Sequence, residues 1–494
     1  MSTTLSVLVP VYNEQYLVAA SLRRLAVLGQ SPLLERIQVI VVDDCSRDDT
    51  PSILAELQRE LSASPWPKFD WLFLRHERNQ GKGAAIRTAI EHVACELAVI
   101  HDADLEYHPR DLLHMVPLFA DESADAVFGS RFLAGGFKRA LFFRHSLGNH
   151  LLTFLCDLAS DLNLTDIETC YKMVRADLLK TIPLVRRDFR IEPELTLKLA
   201  KRGARIFEVP ISYSGRTYQE GKKIGWKDGV KALGAILRFR LSDRICKPDA
   251  YGSDLVPRLA RAPHLTDWIA DSVRPHVGRR VLEIGAGVGN LTLRLIPRQS
   301  YWTSDPNPMF VRELEKLQAT RPYLRASCVD PVVPATFPAE TFDTIICQNV
   351  AEHVEDDAAT LRSLSALLED GGRLIVLTPQ GRNLYGSLDR VLGHLRRYRR
   401  HDLRELAERT GLRVQWIEGI NRAGTPAWWL NARLLRRRSF GLLQIKLFNA
   451  LVPLLRSLQW LLPFPPMTLV AVLEKAPAGA QADTAVAQTA RAGN

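Results

Sequence analysis

The sequence predicts an α/β protein with two tandem domains, because two separate series of short hydrophobic strands alternate with helical stretches. The first series lies between Leu5 and about Asp243 and contains LSVLVPV, IQVIVVD, WLFLR, LAVIHD and AVFGS. The second begins near Arg279 with RVLEIG and continues with YWTSD, TIICQN and RLIVLTP. Such alternation is typical of a mostly parallel sheet with crossover helices. Between the series, residues 247–263 concentrate Pro, Gly, Asp and Ser, which places a boundary near residue 250.

Length and composition agree with this division. A chain of 494 residues suits several cores at roughly 150 residues per domain, and its 46% hydrophobic residues exclude a disordered protein. We predict a first domain at 1–245, a linker at 246–264, a second domain at 265–475 and a disordered tail at 476–494. The tail is assigned as disordered because it lacks large apolar side chains.

The chain carries a net charge of +10, from 65 Lys and Arg against 55 Asp and Glu. This excess points to phosphate-bearing or membrane-surface partners. Seven scattered cysteines without a CxxC pair indicate neither a disulfide framework nor a zinc site, and they favour a reducing compartment.

The sequence shows no pattern typical of a signal peptide or a membrane span. The first apolar run has no basic region before it, and no stretch reaches the roughly 18 to 20 apolar residues that a span requires. The nearest candidate, 457–473, contains Pro463, Pro465 and Pro466, which would break a helix. We therefore expect a cytoplasmic protein, with peripheral attachment to the cytoplasmic face of a membrane as an open alternative.

Polar residues follow three strands of the first domain. Tyr12 and Glu14 leave the first strand in VPVYNE, and Asp44 leaves the second in VVDDCSRDDT. Asp102 and Asp104 leave a later strand in HDADLE and lie on the same side of an extended chain. Ligands of open α/β sheets bind outside the carboxyl ends of the strands. Two converging carboxylates there suit Mg²⁺ or Mn²⁺ bound together with substrate phosphates.

A lysine between two glycines begins a helix in NQGKGAAIRTAI, residues 79–90. Gly81 and Gly83 would let the backbone approach a phosphate, and Lys82 with the helix N-terminus favours an anion. The spacing does not match GxxxxGK followed by Ser or Thr, which disfavours ATP hydrolysis.

Together these motifs resemble the inverting family 2 glycosyltransferases of GT-A fold, a nucleotide-diphospho-sugar transferase fold, and especially their dolichol- and polyprenyl-phosphate sugar synthases. The resemblance covers about 5–243 and includes GSRF at 129–132, DIETCYKM at 166–173 and the segment 209–229. It implies Asp102 and Asp104 as metal ligands on the diphosphate, and Asp102, Asp104 and Arg131 as catalytic residues. It further implies a site for the nucleotide-sugar, made of Pro10, Tyr12, Glu14, Asp44, Lys82 and Asp102. It also implies a site for the acceptor or its phosphate, made of Arg131, Arg144 and Arg216.

The acceptor decides whether this domain needs a base. A lipid phosphate already carries an anionic oxygen near pH 7, because the second pKa of a phosphomonoester is about 6. A hydroxyl acceptor requires a carboxylate that takes its proton. Glu106 and Asp166 are the candidates, with metal support or helix capping as their alternative roles. We expect a nucleotide-sugar donor and a polyprenyl phosphate or glycan acceptor.

The second domain starts with VLEIGAGVGN, residues 281–290, in which Glu283 precedes a glycine-rich turn. A dinucleotide fingerprint beginning at Gly285 would need glycine where Asn290 stands, which disfavours NAD. The pattern ExGxGxG instead resembles the class I S-adenosylmethionine-dependent methyltransferases, which have a Rossmann-like seven-stranded fold. The resemblance covers about 265–475. It implies a set of cofactor-binding residues: Glu283, Gly285, Gly287, Gly289, Asp305, Asp330 and Asn349.

The methyl acceptor is less defined by the sequence. The segments 393–403 and 421–429 are candidates to shape its pocket. His353 and His394 are candidate bases, with a hydrogen-bonded structural role as the alternative.

A long insert at 430–466 separates the presumed sixth and seventh strands of the second domain. It is apolar but interrupted by Arg436 to Arg438, Lys446 and Arg456. Leucines entering a membrane interface and basic side chains meeting anionic head groups would explain this pattern. Packing over the domain core, or a dimer contact, is the alternative. The helical stretch at 145–162 presents the same choice between a membrane surface and packing on the sheet.

These observations predict a bifunctional transferase in one glycan or glycolipid pathway, which transfers a sugar with a metal ion and a methyl group from S-adenosylmethionine. The alternative is an active glycosyltransferase joined to a non-catalytic methyltransferase-like module that binds or tethers. Nucleic acid is not expected as a partner, because the arginine clusters are interleaved with aliphatic runs rather than with exposed aromatic side chains suited to base stacking.

Overall fold

The computed structural model describes residues 2–121, 123–133, 135, 139, 143–215, 226–242, 245, 247, 262–330 and 339–476. The chain forms two compact units, Met1–Lys247 and Pro248–Asn494. Most of the linker predicted at 246–264 and nearly all of the tail predicted at 476–494 lie outside the described residues, so both stay predictions.

The first unit is built on a seven-stranded sheet. Its strands are β1 (Thr3–Val11), β2 (Leu34–Asp43), β3 (Phe69–Arg75), β4 (Leu97–Ile100), β5 (Ala126–Ser130), β6 (Lys172–Arg175) and β7 (Ile206–Pro210). Their order across the sheet is β3-β2-β1-β4-β6-β5-β7. β6 is antiparallel to β4 and β5, and the other neighbours are parallel. The mostly parallel α/β arrangement predicted for this unit is therefore confirmed, although β6 and β7 were not predicted.

Both faces of the central strands are covered, as expected for strands that are continuous apolar runs. β1 and β2 are almost entirely buried, and one hydrophobic core runs through the unit. The described helices are Val18–Arg24, Ala26–Gly29, Thr50–Ala63, Lys82–Glu91, Leu112–Met115, Pro117–Asp121, Phe143–Ser160, Ala176–Thr181, Ile191–Lys201 and Trp226–Leu241, with a 3₁₀ turn at Pro109–Asp111.

The second unit has its own seven-stranded sheet. Its strands are β8 (Arg280–Ile284), β9 (Ser300–Ser304), β10 (Leu324–Ser327), β11 (Phe342–Gln348), β12 (Leu368–Pro379), β13 (Leu412–Ile420) and β14 (Thr468–Lys475). Their order is β10-β9-β8-β11-β12-β14-β13, and only β14 runs antiparallel to its neighbours. The predicted Rossmann-like seven-stranded fold is confirmed, and the predicted insert at 430–466 lies between its last two strands in chain order, β13 and β14.

Two hydrophobic cores lie in this second unit. The segment between β13 and β14 contains the predicted insert, and it is helical over much of its length. The described helices are Pro263–Val273, Thr292–Leu295, Pro308–Gln318, Asp357–Ala366, Ser387–Leu392, Arg400–Arg409, Gly424–Trp429 and Leu442–Ser457, with a π-turn at Leu430–Leu434 and 3₁₀ turns at Arg274–His276, Arg382–Leu384 and Gln459–Leu461.

Candidate functional site

The loops that leave β1 and β2 are tied together at the carboxyl edge of the first sheet. The Asn13 amide donates to Ser46 Oγ at 2.9 Å, and the Glu14 amide donates to Thr50 Oγ1 at 2.9 Å. Tyr12 and Glu14 are partly exposed there, and Pro10 lies just before them in β1. The structure therefore brings these predicted nucleotide-binding residues to the expected edge.

Asp44 lies at the same edge but is only 2% exposed. Its oxygens lie 2.7 Å from His76 Nδ1 and accept hydrogen bonds from the amides of Gln80 at 2.8 Å and Gly81 at 2.6 Å. Asp44 thus anchors the loop that leads to Lys82. Its predicted direct contact with a nucleotide stays a prediction.

Gly81 and Gly83 are required by close packing of the chain itself. A Cβ at Gly81 would overlap the carbonyl oxygen of Arg187, and one at Gly83 would lie 2.6 Å from that of Arg186. Gly81 also has φ +96°, a conformation that glycine adopts readily. Because the backbone at 186–187 passes over the helix start, these glycines have a role that the sequence pattern did not indicate.

The acidic pair Asp102 and Asp104 follows β4, and Lys82 reaches it from the helix start. Lys82 Nζ donates to Asp102 Oδ2 at 2.8 Å and lies 3.5 Å from Glu192 Oε1. Burial alone would lower the pKa of Lys82, but Asp102 and Glu192 hold it well above its usual value. The side chain of Asp102 remains 22% exposed, so the pair combines an accessible carboxylate with an internal cation.

Arg131 forms a two-pronged ion pair with Asp166. Its Nε and Nη2 donate to Asp166 Oδ2 and Oδ1 at 2.6 and 2.7 Å, and Asn149 Nδ2 also donates to Oδ1 at 3.1 Å. Burial disfavours the charge of Asp166, yet Arg131 holds the pKa of this carboxyl below its usual value. A carboxylate held charged in this way is a poor proton acceptor, so its position favours a supporting role over that of a base.

Tyr213 is a site residue that sequence reasoning missed. Its hydroxyl donates to Glu106 Oε2 at 2.7 Å, and the Arg131 guanidinium stands 5.0 Å from the centre of its ring. Glu106, the other candidate base, is therefore already bonded. Tyr213 lies within the segment 209–229, but no local signal distinguished it from other residues there.

Two further carboxyls, Glu192 and Glu168, interact with Lys172 and were not predicted. Glu192 Oε2 accepts from Lys172 Nζ at 2.7 Å, and both side chains are at most 3% exposed. Glu168 has one buried oxygen without a hydrogen-bond partner, and burial raises its pKa to about 7. A carboxyl with a pKa near 7 is suited to accept a proton at neutral pH.

Arg144 and Arg216 are the remaining predicted phosphate residues. The side chain of Arg144 and the whole of Arg216 lie outside the described residues. Their roles stay predictions.

The glycine turn of the second unit follows β8. Gly285, Gly287 and Gly289 all have positive φ, at +78°, +57° and +80°, which favours glycine. A Cβ at Gly289 would lie 2.6 Å from Leu317 Cδ1. The turn is thus fixed by its backbone conformation and by contacts on its inner side, and the amide of Gly287 donates to Asp305 Oδ2 at 3.0 Å.

Glu283 lies beneath this turn and is fully buried. Its Oε2 accepts from Thr292 Oγ1 at 2.6 Å and from Tyr301 OH at 2.8 Å. Burial raises the pKa of Glu283 to about 7, although both hydroxyl donors favour its charged form. Through these contacts Glu283 supports the turn. Its predicted contact with the cofactor stays a prediction.

The other predicted cofactor residues follow neighbouring strands. Asp305 comes directly after β9, is 8% exposed, and has a pKa raised by burial. Asp330 comes three residues after β10. Asn349 directly follows β11 with φ +51°, and its amide donates to Leu377 O at 2.9 Å. All three reach the edge that carries the glycine turn.

Three potential ligands meet a few residues beyond β11. Glu352, His353 and His394 each offer an atom within 4.8 Å of the others. The imidazole rings of His353 and His394 are 4.9 Å apart. Glu352 is fully buried and neither of its oxygens has a hydrogen-bond partner. Both histidines were predicted, whereas Glu352 was not, although it stands beside His353 in the sequence.

Asp389 orients His394 within this group. His394 Nδ1 lies 3.0 Å from Asp389 Oδ1, and Arg397 Nε donates to the same oxygen at 2.7 Å. Burial opposes the charge of Asp389, but His394 and Arg397 hold its pKa below its usual value. Beside the same segment opens a cavity of about 430 Å³, lined by residues that include Tyr385, Arg397 and Tyr398.

Comparisons with known proteins agree with this geometry. Residues 6–182 match the family model for glycosyl transferase family 2, and residues 251–415 match a model for a methyltransferase domain. The first unit is a family 2 glycosyltransferase domain, and the second is a methyltransferase domain. The resemblance predicted from the motifs is confirmed for both.

The glycosyltransferase domain also has curated relatives. A UDP-N-acetylglucosamine–dolichyl-phosphate N-acetylglucosaminyltransferase of Methanococcus voltae is 24% identical over 244 residues, covering 47% of this chain and 95% of the relative. An undecaprenyl-phosphate 4-deoxy-4-formamido-L-arabinose transferase of Edwardsiella ictaluri is 26% identical over 217 residues, covering 44% of this chain and 62% of the relative.

A solved structure is similar to part of the chain. It is glucosyl-3-phosphoglycerate synthase of Mycobacterium tuberculosis in complex with Mn²⁺, uridine diphosphate and phosphoglyceric acid, with 18% identity and a TM-score of 0.37. The match covers 50% of this chain and 81% of that one.

Proposed function

We propose that the glycosyltransferase domain transfers a sugar, with inversion, from a nucleotide-sugar to a polyprenyl phosphate or a glycan, and that the methyltransferase domain methylates a product of the same pathway. The observation that carries the first activity is the ion pair of Lys82 with Asp102 at the carboxyl edge of the sheet, two residues before Asp104. Two relatives are named as transferases that act on dolichyl and undecaprenyl phosphate, which supports the lipid acceptor.

The acidic pair fits Mg²⁺ or Mn²⁺, since it supplies hard carboxylate oxygens and leaves the other positions for phosphates and water. Such an ion would neutralise charge on the leaving diphosphate. Lys82 adds a fixed positive charge beside Asp102. Arg131, kept in place by Asp166 and by the ring of Tyr213, adds a second charge on the acceptor side.

The acceptor determines which carboxyl takes part. A phosphate oxygen attacks as an anion and needs no base. For a hydroxyl acceptor, Glu168 is the better candidate for the base, because Asp166 is held charged by Arg131 whereas the pKa of Glu168 is raised to about 7.

The sugar-transfer proposal is tested by incubating the full chain with a panel of nucleotide-sugars and Mn²⁺, with polyprenyl phosphate and without it. Release of the nucleotide that depends on the lipid phosphate is the expected result. Asp104→Asn should reduce transfer about 10²- to 10³-fold, a loss typical of removing an electrostatic group at the reacting charge. Unchanged transfer by Asp104→Asn would contradict the metal site.

For the second domain we propose binding of S-adenosylmethionine against the glycine turn, with Asp305 facing the ribose. Three glycines with positive φ at alternate positions and the bond from Gly287 to Asp305 support this placement. Calorimetry with S-adenosylmethionine should show binding to the wild-type chain and none to Gly287→Arg. Sugar transfer by that variant should be unchanged, since the substitution lies in the other unit.

We also propose that the insert of the methyltransferase domain rests on an anionic membrane surface. No helix of the described chain is long and apolar enough to cross a membrane, yet Leu443, Leu447, Leu451 and Leu454 are 52–70% exposed along one side of helix Leu442–Ser457. Residues on its other side, such as Val452, are buried in the core. The helix is thus anchored by one face and apolar on the outer one.

The charge around this leucine face suits an anionic partner. Between Glu418 and Glu474 the sequence has seven Lys and Arg and no acidic residue. Arg456 is paired with Asp271 at 2.7 Å, whereas Arg436 to Arg438 and Lys446 are exposed. Basic side chains near an anionic surface contribute roughly 1 kcal/mol each.

Vesicles of phosphatidylcholine, with and without phosphatidylglycerol, test the proposal. The full chain should bind the anionic vesicles at low salt, and Arg436→Gln with Arg438→Gln should weaken binding about 30-fold. The control pair Arg404→Gln and Arg413→Gln, exposed residues outside the insert, should bind as the wild type does. Equal binding to both kinds of vesicle would contradict an electrostatic contribution.

A further inference from the structure

We propose that Glu352, His353 and His394 form a binding site for a divalent cation of the zinc class. In the part of the chain that the structure describes, they are the one group of three or more His, Cys, Asp and Glu ligand atoms gathered closely enough to hold an ion. Two imidazole nitrogens and one carboxylate oxygen are a donor set that zinc accepts.

The state of Glu352 is the first argument. Its side chain is fully buried and both oxygens lack a hydrogen-bond partner. Buried polar groups are normally bonded, because burial of an unbonded one is costly. A cation bound between Glu352 and the two histidines would supply the missing partner.

The orientation of His394 is the second argument. Its Nδ1 is engaged by Asp389 at 3.0 Å, so Nε2 is left facing Glu352 Oε1 at 4.0 Å. A carboxylate behind a histidine is the usual way in which proteins orient an imidazole that binds a metal. Arg397 in turn fixes Asp389 at 2.7 Å, and the side chains of both are fully buried.

The backbone holds the two segments of the site together. The amide of Leu395, next to His394, donates to the carbonyl oxygen of Glu352 at 2.7 Å. Tetrahedral zinc ligands lie roughly 3.3 Å apart, from metal–ligand distances of about 2.0–2.2 Å. A change from 4.0 Å between Glu352 Oε1 and His394 Nε2 to this distance is within the reach of side-chain rotation.

The number of ligands indicates the kind of site. Three protein ligands leave a fourth tetrahedral position for water or another oxygen, as in catalytic zinc sites, whereas structural sites are closed by four. The group also lies a few residues past the end of β11, which pairs with the strand that leads into the glycine turn. An ion there would sit on the proposed acceptor side of the methyltransferase domain, and only this last placement rests on the proposed function.

The test is direct metal binding by the full chain. After removal of metals with a chelator, Zn²⁺ titration should reveal one site in the wild type, and Co²⁺ should produce the visible absorption of a tetrahedral complex with nitrogen ligands. Glu352→Gln and His394→Ala should lower the affinity for Zn²⁺ at least about 100-fold. Asp389→Asn should lower it about 10- to 100-fold by releasing His394.

Two controls keep the result interpretable. His401→Ala removes an exposed histidine that pairs only with nearby Glu405 among its described contacts, and it should leave Zn²⁺ binding unchanged. His353→Gln removes an exposed ligand, so loss of binding in this variant cannot be attributed to a collapsed core. Calorimetry with S-adenosylmethionine on each variant shows whether the second unit is still folded. If the methyltransferase proposal is wrong, the wild type also shows no S-adenosylmethionine binding, and this result is separate from the Zn²⁺ titration. No Zn²⁺ site in the wild type, or equal Zn²⁺ affinity in Glu352→Gln, overturns the proposal.

Discussion

In the glycosyltransferase domain the cations near the acidic pair each lie against a carboxylate, whereas in the methyltransferase domain Glu352 is buried with neither oxygen bonded. Lys82 pairs with Asp102, Arg131 with Asp166, and Lys172 with Glu192. The two sites thus differ in whether their buried charged groups are paired within the protein. The first site holds its charges in place with internal partners, so its residues also stabilise the fold. In the second, Asp389 is paired with Arg397 in the same way, but Glu352 keeps both carboxylate oxygens without a hydrogen-bond partner.

The largest effect should come from breaking an internal pair of the first unit. Arg131→Met leaves Asp166 buried without its cation, and such a loss typically costs about 3–5 kcal/mol. Urea unfolding of the full chain should show this loss in the transition that S-adenosylmethionine does not shift. Arg23→Met, which breaks the exposed pair with Glu60, should cost less than about 1 kcal/mol. Equal losses would remove the distinction between site pairs and surface pairs.

A smaller effect is expected from the glycine turn of the second unit. Gly289→Ala combines a left-handed backbone with a Cβ placed 2.6 Å from Leu317, for an expected cost of about 2–4 kcal/mol. Gly371→Ala is the matched control, because it has φ +75° but nothing within 4 Å of the added Cβ. It should cost about 1–2 kcal/mol. If the two substitutions cost the same, the inner contact of the turn does not matter.

Glu283 should make the second unit sensitive to pH. Its folded pKa of about 7 exceeds an unfolded value of about 4.3, so the folded state binds more protons between these values and stability falls as pH rises through this range. Glu283→Gln retains an oxygen for Thr292 and Tyr301 but cannot ionise. It should match the wild type at pH 5 and exceed its free energy of unfolding by up to about 3 kcal/mol at pH 8. Wild-type and variant curves that run parallel from pH 5 to 8 would contradict the raised pKa.

The smallest changes in stability are expected on the exposed leucine faces. Helix Phe143–Ser160 exposes Leu147 and Leu151, with the same spacing as Leu447 and Leu451 in the insert. Either pair replaced by Gln should change the free energy of unfolding by less than about 0.5 kcal/mol. Binding to anionic vesicles should decrease more for the Leu447 and Leu451 variant, because the acid-free stretch around the insert carries seven Lys and Arg, whereas the one between Asp125 and Asp157 carries four. An equal decrease would assign membrane contact to both units.

The sequence predicted those strands whose own residues form a recognisable hydrophobic pattern. β8 and β11 are largely hydrophobic runs that end at the predicted motifs, whereas β10 is the short segment LRAS and has no such run. β6 (KMVR) and β7 (IFEVP) contain charged residues or proline within the run, whereas the equally short β4 (LAVI) and β5 (AVFGS) do not. The pairing of β6 and β7 depends on neighbours that are distant in the sequence.

The site residues divide in the same way. Asp102, Asp104 and the three glycines were predicted because their spacing carries the chemistry. The pairing of Arg131 with Asp166 joins residues 35 positions apart, and Asp44 is turned toward the loop at 76–81 by three bonds. Such partners arise only when the strands are assembled. Glu352 was not predicted as a site residue, because a single acidic residue beside a histidine forms no recognisable spacing pattern.

The bond between Lys82 and Asp102 has a consequence for the order of events in the proposed sugar transfer. While Lys82 occupies one oxygen of Asp102, an incoming cation competes with an ammonium group that is already in place. A diphosphate offers Lys82 another anionic partner and frees that oxygen. Donor and cation should therefore enter with positive cooperativity, each raising the affinity of the other by the same factor.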